Sequence, residues 1–343
     1  MPELTALLEE LCLLPGPSGD EGLVRERILQ LLQGYADCTV DALGNILARK
    51  RGAQRAACKL MVDAHLDEVG LIVTGVTQQG YLRFDTLGGI DPKVLLGRRV
   101  TLHGVAGVIG CTPVHLLSGE QRDAVPDVGD MVIDIGAAGK KEALESIALG
   151  DTAVFDSPFV RFGDGMLKAK AIDDRAGCAM LIQLLREDAP YDFTATFTVQ
   201  EETGLVGART AAYGVNPDAA IVLESTTAAD IAGVPHENRV CYVGKGPVLS
   251  VMDRHTIYDR DLVRLAQGIA RQSELPCQIK QAVAGGNNAG AIHSSRAGVR
   301  TLAVSLPCRY LHSAACVIAE CDLQYTFNLT KHLIAAMAAG RLA

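Results

Sequence analysis

Residues 193–204 read FTATFTVQEETG, and this stretch decides how the rest of the chain is read. Residues 193–199 are a β-branched and apolar run with the alternation of a strand. The run stops at two adjacent carboxylates, Glu201 and Glu202, followed by Thr203 and Gly204. In a turn that leaves a strand, neighbouring side chains point in different directions. One carboxylate can then bind a cation while the other faces a substrate as a general base. A solvated Glu-Glu turn would look the same in isolation, and the other strand ends decide between the two.

The same design recurs on both sides. Residues 60–64 are a run too short for a helix, and they deliver His65, Asp67 and Glu68 at their end. A strand-end histidine is a natural metal ligand, and Asp67, two residues on, can turn back to hold its second ring nitrogen. Residues 219–223 are continuously apolar, as in a central strand buried on both faces, and close on Glu224. Residues 301–306 form another such run, with His312 just beyond it in PCRYLHS. Asp173 and Asp174 stand at the start of an apolar helix, where carboxylates favour the dipole and cap free N–H groups. Two aspartates exceed what one cap requires, and a buried pair without a cation would be costly.

Between these strands lie helical patterns. The spacing predicts helices over residues 4–13, 205–213, 258–271 and about 322–339. Another follows Ser18, read as its N-cap, with Leu23, Ile28, Leu31 and Leu32 on one face. Alternating strands and helices make an α/β fold, in which chemistry gathers outside the carboxyl ends of the strands. From residue 70 to 165 the texture changes to short alternating segments divided by Gly, Pro and Asp turns, with one helix at 140–149. This predicts a small β-rich domain, residues 70–165, inserted into a catalytic α/β domain made of 1–69 and 166–343. His103 and His115 fall in the insert without a carboxylate or cysteine at ligand spacing, and read as structural. GGNNAG at 285–290 is neither G-x-G-x-x-G nor a P-loop, so no nucleotide is expected there.

Composition narrows the function. At 343 residues the chain exceeds the usual size of one core, so about two domains are expected. A net charge of -8 and scattered Lys and Arg argue against nucleic acid. No run approaches the ~18 apolar residues of a membrane span, and the start lacks a basic signal region, so a cytoplasmic protein without membrane partners is expected. The 10 cysteines form no C-x-x-C pair and read as reduced, buried thiols. With no Trp and 4% aromatics, the platforms usual for sugars are missing.

Collected, the candidate metal ligands are His65, Asp173, Glu202, Glu224 and His312. Three carboxylates and two imidazoles suit Zn, Co or Mn. Two cations sharing one carboxylate would use the whole set and leave an open edge for water and a carbonyl oxygen.

Along nearly its whole length the chain also resembles a known family. HLDEVG, the GVIG to PVH segment, VIDIGAAGKKEA, AKAIDDRAG, VQEETGLVGA, GAIHSSRAGV and PCRYLHS occur in the order of the motifs of the cytosolic dinuclear metallo-aminopeptidases. That family includes the tetrahedral, glutamyl and deblocking aminopeptidases, some of them labelled endoglucanases. The resemblance implies a central mixed sheet flanked by helices, of the dinuclear zinc exopeptidase type, with an inserted small β-barrel-like domain. It implies two divalent metal ions per subunit, with His65 on one, Asp173 as the bridge, and Glu202 and His312 on the second. Glu201 matches the general base, and Asp67 matches the residue that supports His65. Glu224 stands where many members have Asp, and Asn288 where the GTDAG form of the glycine loop has Asp. A cis peptide bond between Asp173 and Asp174 is implied too.

The function expected is therefore a metal-dependent aminopeptidase acting on peptides with a free N-terminus, assembled as a homo-oligomer built from dimers, up to a tetrahedral dodecamer. Rival readings are another dinuclear hydrolase, such as an amino-acid deacylase or carboxypeptidase, a glycosidase, or a non-catalytic assembly module.

Overall fold

The computed structural model describes residues 2–341, and its helices and strands follow the order of the apolar runs. Two helices, α1 (Pro2–Leu13) and α2 (Gly22–Leu32), precede strands β1 (Asp37–Val40), β2 (Ile46–Lys50) and β3 (Leu60–His65). The next block holds β4 (Gly70–Val76), β5 (Leu82–Leu87), β6 (Arg99–Leu102), β7 (Val105–Cys111), α3 (Gly119–Asp123), β8 (Met131–Asp134), α4 (Lys140–Ser146) and β9 (Thr152–Phe155). Then come β10 (Val160–Phe162), β11 (Met166–Ala169), α5 (Ile172–Arg186), β12 (Phe193–Thr198), α6 (Val206–Val215) and β13 (Ala219–Thr227). Last are β14 (Val248–Leu249), α7 (Arg260–Gln272), β15 (Gln278–Ile279), α8 (Ala289–Ile292), β16 (Arg300–Cys308), β17 (Cys316–Ala319) and α9 (Glu320–Ala338).

One mixed sheet runs in the order β1-β2-β12-β3-β13-β16-β14-β15. Its centre, β12, β3, β13 and β16, is parallel, and β2 and β14 join it antiparallel. Parallel strands are covered on both faces, which is why β13 opens as a continuous apolar run, Ala219 to Leu223. Every residue of β3 is buried. Helix α5 packs on β3 and β13, α6 on β12, α8 on β13 and β16, and α7 and α9 on β16. Phe197, Met61, Phe327 and Leu333 belong to the resulting core.

Strands between Gly70 and Phe155 close into a barrel, β4-β5-β8-β7-β6-β9. Closure removes the exposed edges that so many short strands would otherwise leave. β5 shows the pattern behind it, with Leu82 and Phe84 inside and Arg83 and Asp85 outside. The barrel has its own core, including Phe84, Ile109 and Ile133. β10, β11 and β17 form a separate antiparallel sheet in that order, with β11 in the middle.

The start of α2 departs from the sequence expectation. The helix begins at Gly22 with no side-chain cap bond, and the Ser18 hydroxyl donates to Asp67 at 2.6 Å. Leu23 is exposed, and Val24 takes its place in the core, because Val24, Ile28 and Leu31 make the i, i+4, i+7 stripe. Among the described residues no helix is long and apolar enough to cross a membrane, and all 10 cysteines are free thiols.

Asp259 caps α7, accepting the N–H groups of Asp261 and Leu262 at 3.0 Å each and pairing with Arg300 at 2.6 Å. The Arg300 hydrogen bond holds its carboxyl below the usual 3.8. Since the folded pKa is the lower one, this stabilisation is complete above the unfolded value and is lost as pH falls through the folded value. Asp259→Ala should cost about 1–2 kcal/mol in urea unfolding at pH 7, and the difference from the parent should shrink in acid.

Candidate metal centre

The parallel strands bring the predicted residues to one end of the sheet. His65 is the last residue of β3 and pairs in register with Thr198, the last of β12. Val222 of β13 pairs with Asp63, so Glu224 lies level with His65, two residues further on in each strand. Glu201 and Glu202 follow β12, His312 follows β16, and Asp173 sits in the first turn of α5. All five ligand candidates and Glu201 therefore meet outside the carboxyl ends of the strands.

Asp173 stands between the two imidazoles. Its Oδ1 is 3.3 Å from His65 Nε2, and its Oδ2 is 3.4 Å from His312 Nε2. Glu224 Oε1 lies 3.4 Å from His65 Nε2, and Glu202 Oε1 lies 3.3 Å from His312 Nε2. Two clusters thus share one carboxylate, with His65 and Glu224 on one side and His312 and Glu202 on the other. Ligand-type atoms of His65, Asp173 and Glu202 all lie within 4.8 Å of one another, and so do those of His65, Asp174 and Glu224. Asp174 was not among the sequence candidates. Its Oδ1 accepts the Gly177 N–H at 3.0 Å, and a Cβ at 177 would sit 2.3 Å from Oδ2, so the capped turn requires glycine there. Asp173, unlike Asp174, contacts both imidazoles. The bond between the two aspartates is cis, as the resemblance implied.

Each imidazole is held by its other nitrogen. His65 Nδ1 donates to the carbonyl oxygen of Asp67 at 3.0 Å, and His312 Nδ1 donates to that of Gly89 at 2.7 Å. A carbonyl only accepts, so Nδ1 carries the proton and Nε2 faces the carboxylates. The sequence reading gave the first of these tasks to the Asp67 carboxylate. That carboxylate lies 3.4 Å from His65 Nδ1 and mainly accepts the Ser18 hydroxyl at 2.6 Å and the N–H groups of Glu201 and Glu202 at 3.0 and 3.1 Å.

The charges are crowded. Burial pushes Glu201 up to about 8 and Glu202 up to about 7, against the pull of His65 and His312. Burial also lifts Glu224 and Asp174 well above the carboxylate range. Burial would lift Asp173 too, but hydrogen bonds with His312 and His65 hold it far below. Burial works against a charged His312, yet Asp173 and Glu202 raise it to about 10. Glu224 Oε2 and Asp174 Oδ2 are buried with no hydrogen-bond partner. Two Nε2 atoms 3.3–3.4 Å from carboxylates, together with unpartnered buried carboxylate oxygens, are the donor set a divalent cation satisfies once it displaces the Nε2 protons. The residues present fit metal ions.

The cluster opens on a cavity of about 590 Å³ lined by Glu201, Thr226, Asp253, Lys280 and the 284–287 loop. A cavity of similar size, about 630 Å³, lies at the opposite ends of the strands beside Leu60 and Phe193, and no histidine lines it.

Residues 44–329 match the family described as M42 glutamyl aminopeptidase, and the chain belongs to that family. It is therefore an aminopeptidase by class. It is similar to the lysyl aminopeptidase of Pyrococcus furiosus, 30% identical over 96% of both chains. Among solved structures it is similar to the TET aminopeptidase from Thaumarchaeota archaeon SCGC AB-539-E09, with a TM-score of 0.94 and 35% identity over 99% of both chains. It is also similar to the Pyrococcus horikoshii TET1 peptidase, with a TM-score of 0.85 and 35% identity over 98% of this chain and 99% of that one.

Sequence reasoning missed the buried scaffold behind the site. Lys170 Nζ donates to both oxygens of Glu68, at 2.6 and 2.9 Å, and Arg175 reaches Leu66 O, Leu11 O and Glu68 Oε1 at 2.8, 2.6 and 3.5 Å. All three side chains are buried. The signal was present in the charged residues flanking two motifs, HLDE and AKAIDDR. Glu68→Ala strands two buried cations and should cost about 3–5 kcal/mol in urea unfolding.

Proposed function

We propose that this chain is a metal-dependent aminopeptidase that hydrolyses the first peptide bond of peptides with a free N-terminus. The observation that carries the reading is Asp173, with one carboxylate oxygen facing each imidazole and one further glutamate on either side. In this reading His65, Asp173 and Glu224 hold one divalent cation, and Asp173, Glu202 and His312 hold a second, with zinc favoured over cobalt or manganese. When bound, such cations supply Lewis acidity, which acidifies water and stabilises charge developing on a carbonyl oxygen.

Glu201 is the general base. Its carboxylate lines the cavity, takes a proton from the attacking water and returns it to the leaving amine. Asp67 is a positioning residue, because it holds the backbone of both glutamates. The carboxylates around Asp173 also attract a substrate ammonium, which would confine attack to the N-terminal bond. The same reading takes residues 1–69 and 166–343 as the catalytic domain and 70–165 as the inserted one, in a cytoplasmic protein.

Chelation should abolish peptidase activity, and Zn, Co or Mn should restore it. Full activity in a sample shown free of metal by elemental analysis would contradict the metal assignment. Glu201→Gln should keep its metal while kcat falls at least ~10²-fold. Glu202→Gln should lose occupancy of one metal first and recover part of its activity in excess metal. Metal analysis and kinetics on both variants check the assignment, and loss of metal from Glu201→Gln alone would reverse it.

The TET1 relative is described as assembling into a tetrahedron or a large octahedral shell. We extend self-association to this chain as a homo-oligomer. Multi-angle light scattering should show a mass several times 36.3 kDa, and a monomer at working concentration would count against it.

A further inference from the structure

The loop that carries His312 has a cysteine at each foot. Strand β16 ends at Cys308 and β17 begins at Cys316, and the next residue of each, Arg309 and Val317, form a pair that exchanges both backbone hydrogen bonds, at 2.9 and 3.0 Å. Cys308 and Cys316 each precede a member of that pair, so their side chains lie on one face of the ladder as diagonal neighbours. The right-handed twist of paired strands draws this diagonal together, and the two thiols hydrogen-bond to each other. Both are buried.

Cys316 also supports the loop. Its Sγ donates to the carbonyl oxygens of Tyr310 and Ser313, at 3.5 and 3.6 Å, on either side of His312. Tyr310 and His312 both have left-handed backbone, at φ of 58° and 57°, a conformation that lasts where neighbours enforce it. His312 in turn lies 3.3 Å from Glu202 and 3.4 Å from Asp173. With those three residues Cys316 lines a cavity of about 10 Å³, the least space that admits a water-sized molecule. Other thiols are arranged differently. Cys178 donates to the carbonyl oxygen of His65 at 3.1 Å, Cys58 to that of Met337 at 3.5 Å and Cys241 to that of Thr227 at 3.6 Å, as packed core residues do.

We propose that Cys308 and Cys316 are an oxidation site, converted by a hydroperoxide to a disulfide that loosens the His312 loop. The Cys316 sulfur attacks one oxygen of hydrogen peroxide, the O–O bond breaks, and the other oxygen leaves as water with the thiol proton. The Cys308 sulfur then attacks the sulfenic sulfur of Cys316 and expels its hydroxyl as a second water. The two thiols lose two electrons and the peroxide gains them. A disulfide has no S–H, so the Tyr310 and Ser313 carbonyls lose the donor they share, and the turn that aims His312 slackens. The consequence for metal and activity rests on the aminopeptidase reading above, whereas the disulfide itself does not.

The test treats the zinc-loaded full-length protein with a small excess of hydrogen peroxide, alkylates the remaining thiols and maps disulfides by mass spectrometry. A bond between Cys308 and Cys316 should form, zinc content should fall, and kcat/KM on an aminoacyl p-nitroanilide should drop at least ~10-fold. Dithiothreitol followed by zinc should reverse all three. Cys316→Ser keeps a donor for the loop but has no sulfur to oxidise, so under the same dose it should hold the zinc and activity of its own untreated sample. Cys308→Ala takes its place, with the same expectation, if that variant does not fold. Oxidation confined to the exposed Cys321, or a bond from Cys316 to the buried Cys12, overturns the proposal. So does a disulfide between Cys308 and Cys316 that leaves zinc content and kcat/KM unchanged, or zinc loss from the variant that matches the parent's. If the untreated parent binds no zinc and cleaves no anilide, the aminopeptidase reading fails by itself. The mapped bond then decides the oxidation site, its presence upholding it and its absence overturning it.

Discussion

The carboxylate of Asp67 joins three parts of the chain that are distant in sequence. It accepts the Ser18 hydroxyl from the segment before α2 and the N–H groups of Glu201 and Glu202 from the turn after β12. The carbonyl of the same residue holds His65 Nδ1. Hydrogen bonds from His65, Ser18 and the Glu201 N–H outweigh the burial that would otherwise raise its pKa, and keep it below the carboxylate range. The strand ends of β3 and β12 are thereby one unit. Glu202 reaches His312 at 3.3 Å, and its neighbour Glu201 lines the cavity.

Such a cluster is costly to bury, and the surroundings are built to hold it. Behind Asp67, the Glu68, Lys170 and Arg175 network ties the β3 loop to the chain before α2 and to the start of α5. Non-glycine residues with left-handed backbone collect around the site, at Ala171, Gln200, Leu205, Tyr310 and His312. Left-handed backbone costs free energy in a residue with a Cβ and persists where the surroundings enforce it. Asn45 supplies part of that enforcement. Its buried amide accepts the Val199 N–H at 2.9 Å and donates to Gly207 O at 3.1 Å, closing the turn that presents Glu201 and Glu202.

The barrel block takes part in the site as well. The carbonyl of Gly89, after β5, orients His312, and Asp91 and Val94 line the cavity. Asn288, where the resemblance raised a question, donates to Asp63 and to Thr198 at 2.8 Å each. An amide can donate to the buried Asp63 carboxylate where a second carboxylate would need a proton to do so. This bond pins the glycine-rich loop to the strand that carries His65.

The sequence by itself determined which strands are buried on both faces, where each ends, and which ionisable residues stand at those ends. Apolar runs and polar termini are local properties, so His65, Asp173, Glu201, Glu202, Glu224 and His312 were all legible before any fold was known. The closed barrel was legible only as β-rich texture, since closure depends on pairing between strands far apart in the chain. Tertiary structure alone decided that Ser18 serves Asp67 rather than a helix, and that a carbonyl rather than the Asp67 carboxylate is the main partner of His65 Nδ1. It also decided that Asp173 faces both imidazoles and that Lys280 faces the same cavity as Glu224. Apart from the local His65–Asp67 contact, these relations join residues 49 to 139 positions apart, set by strand register and by the demand that buried polar groups find partners, and no short window of sequence contains them.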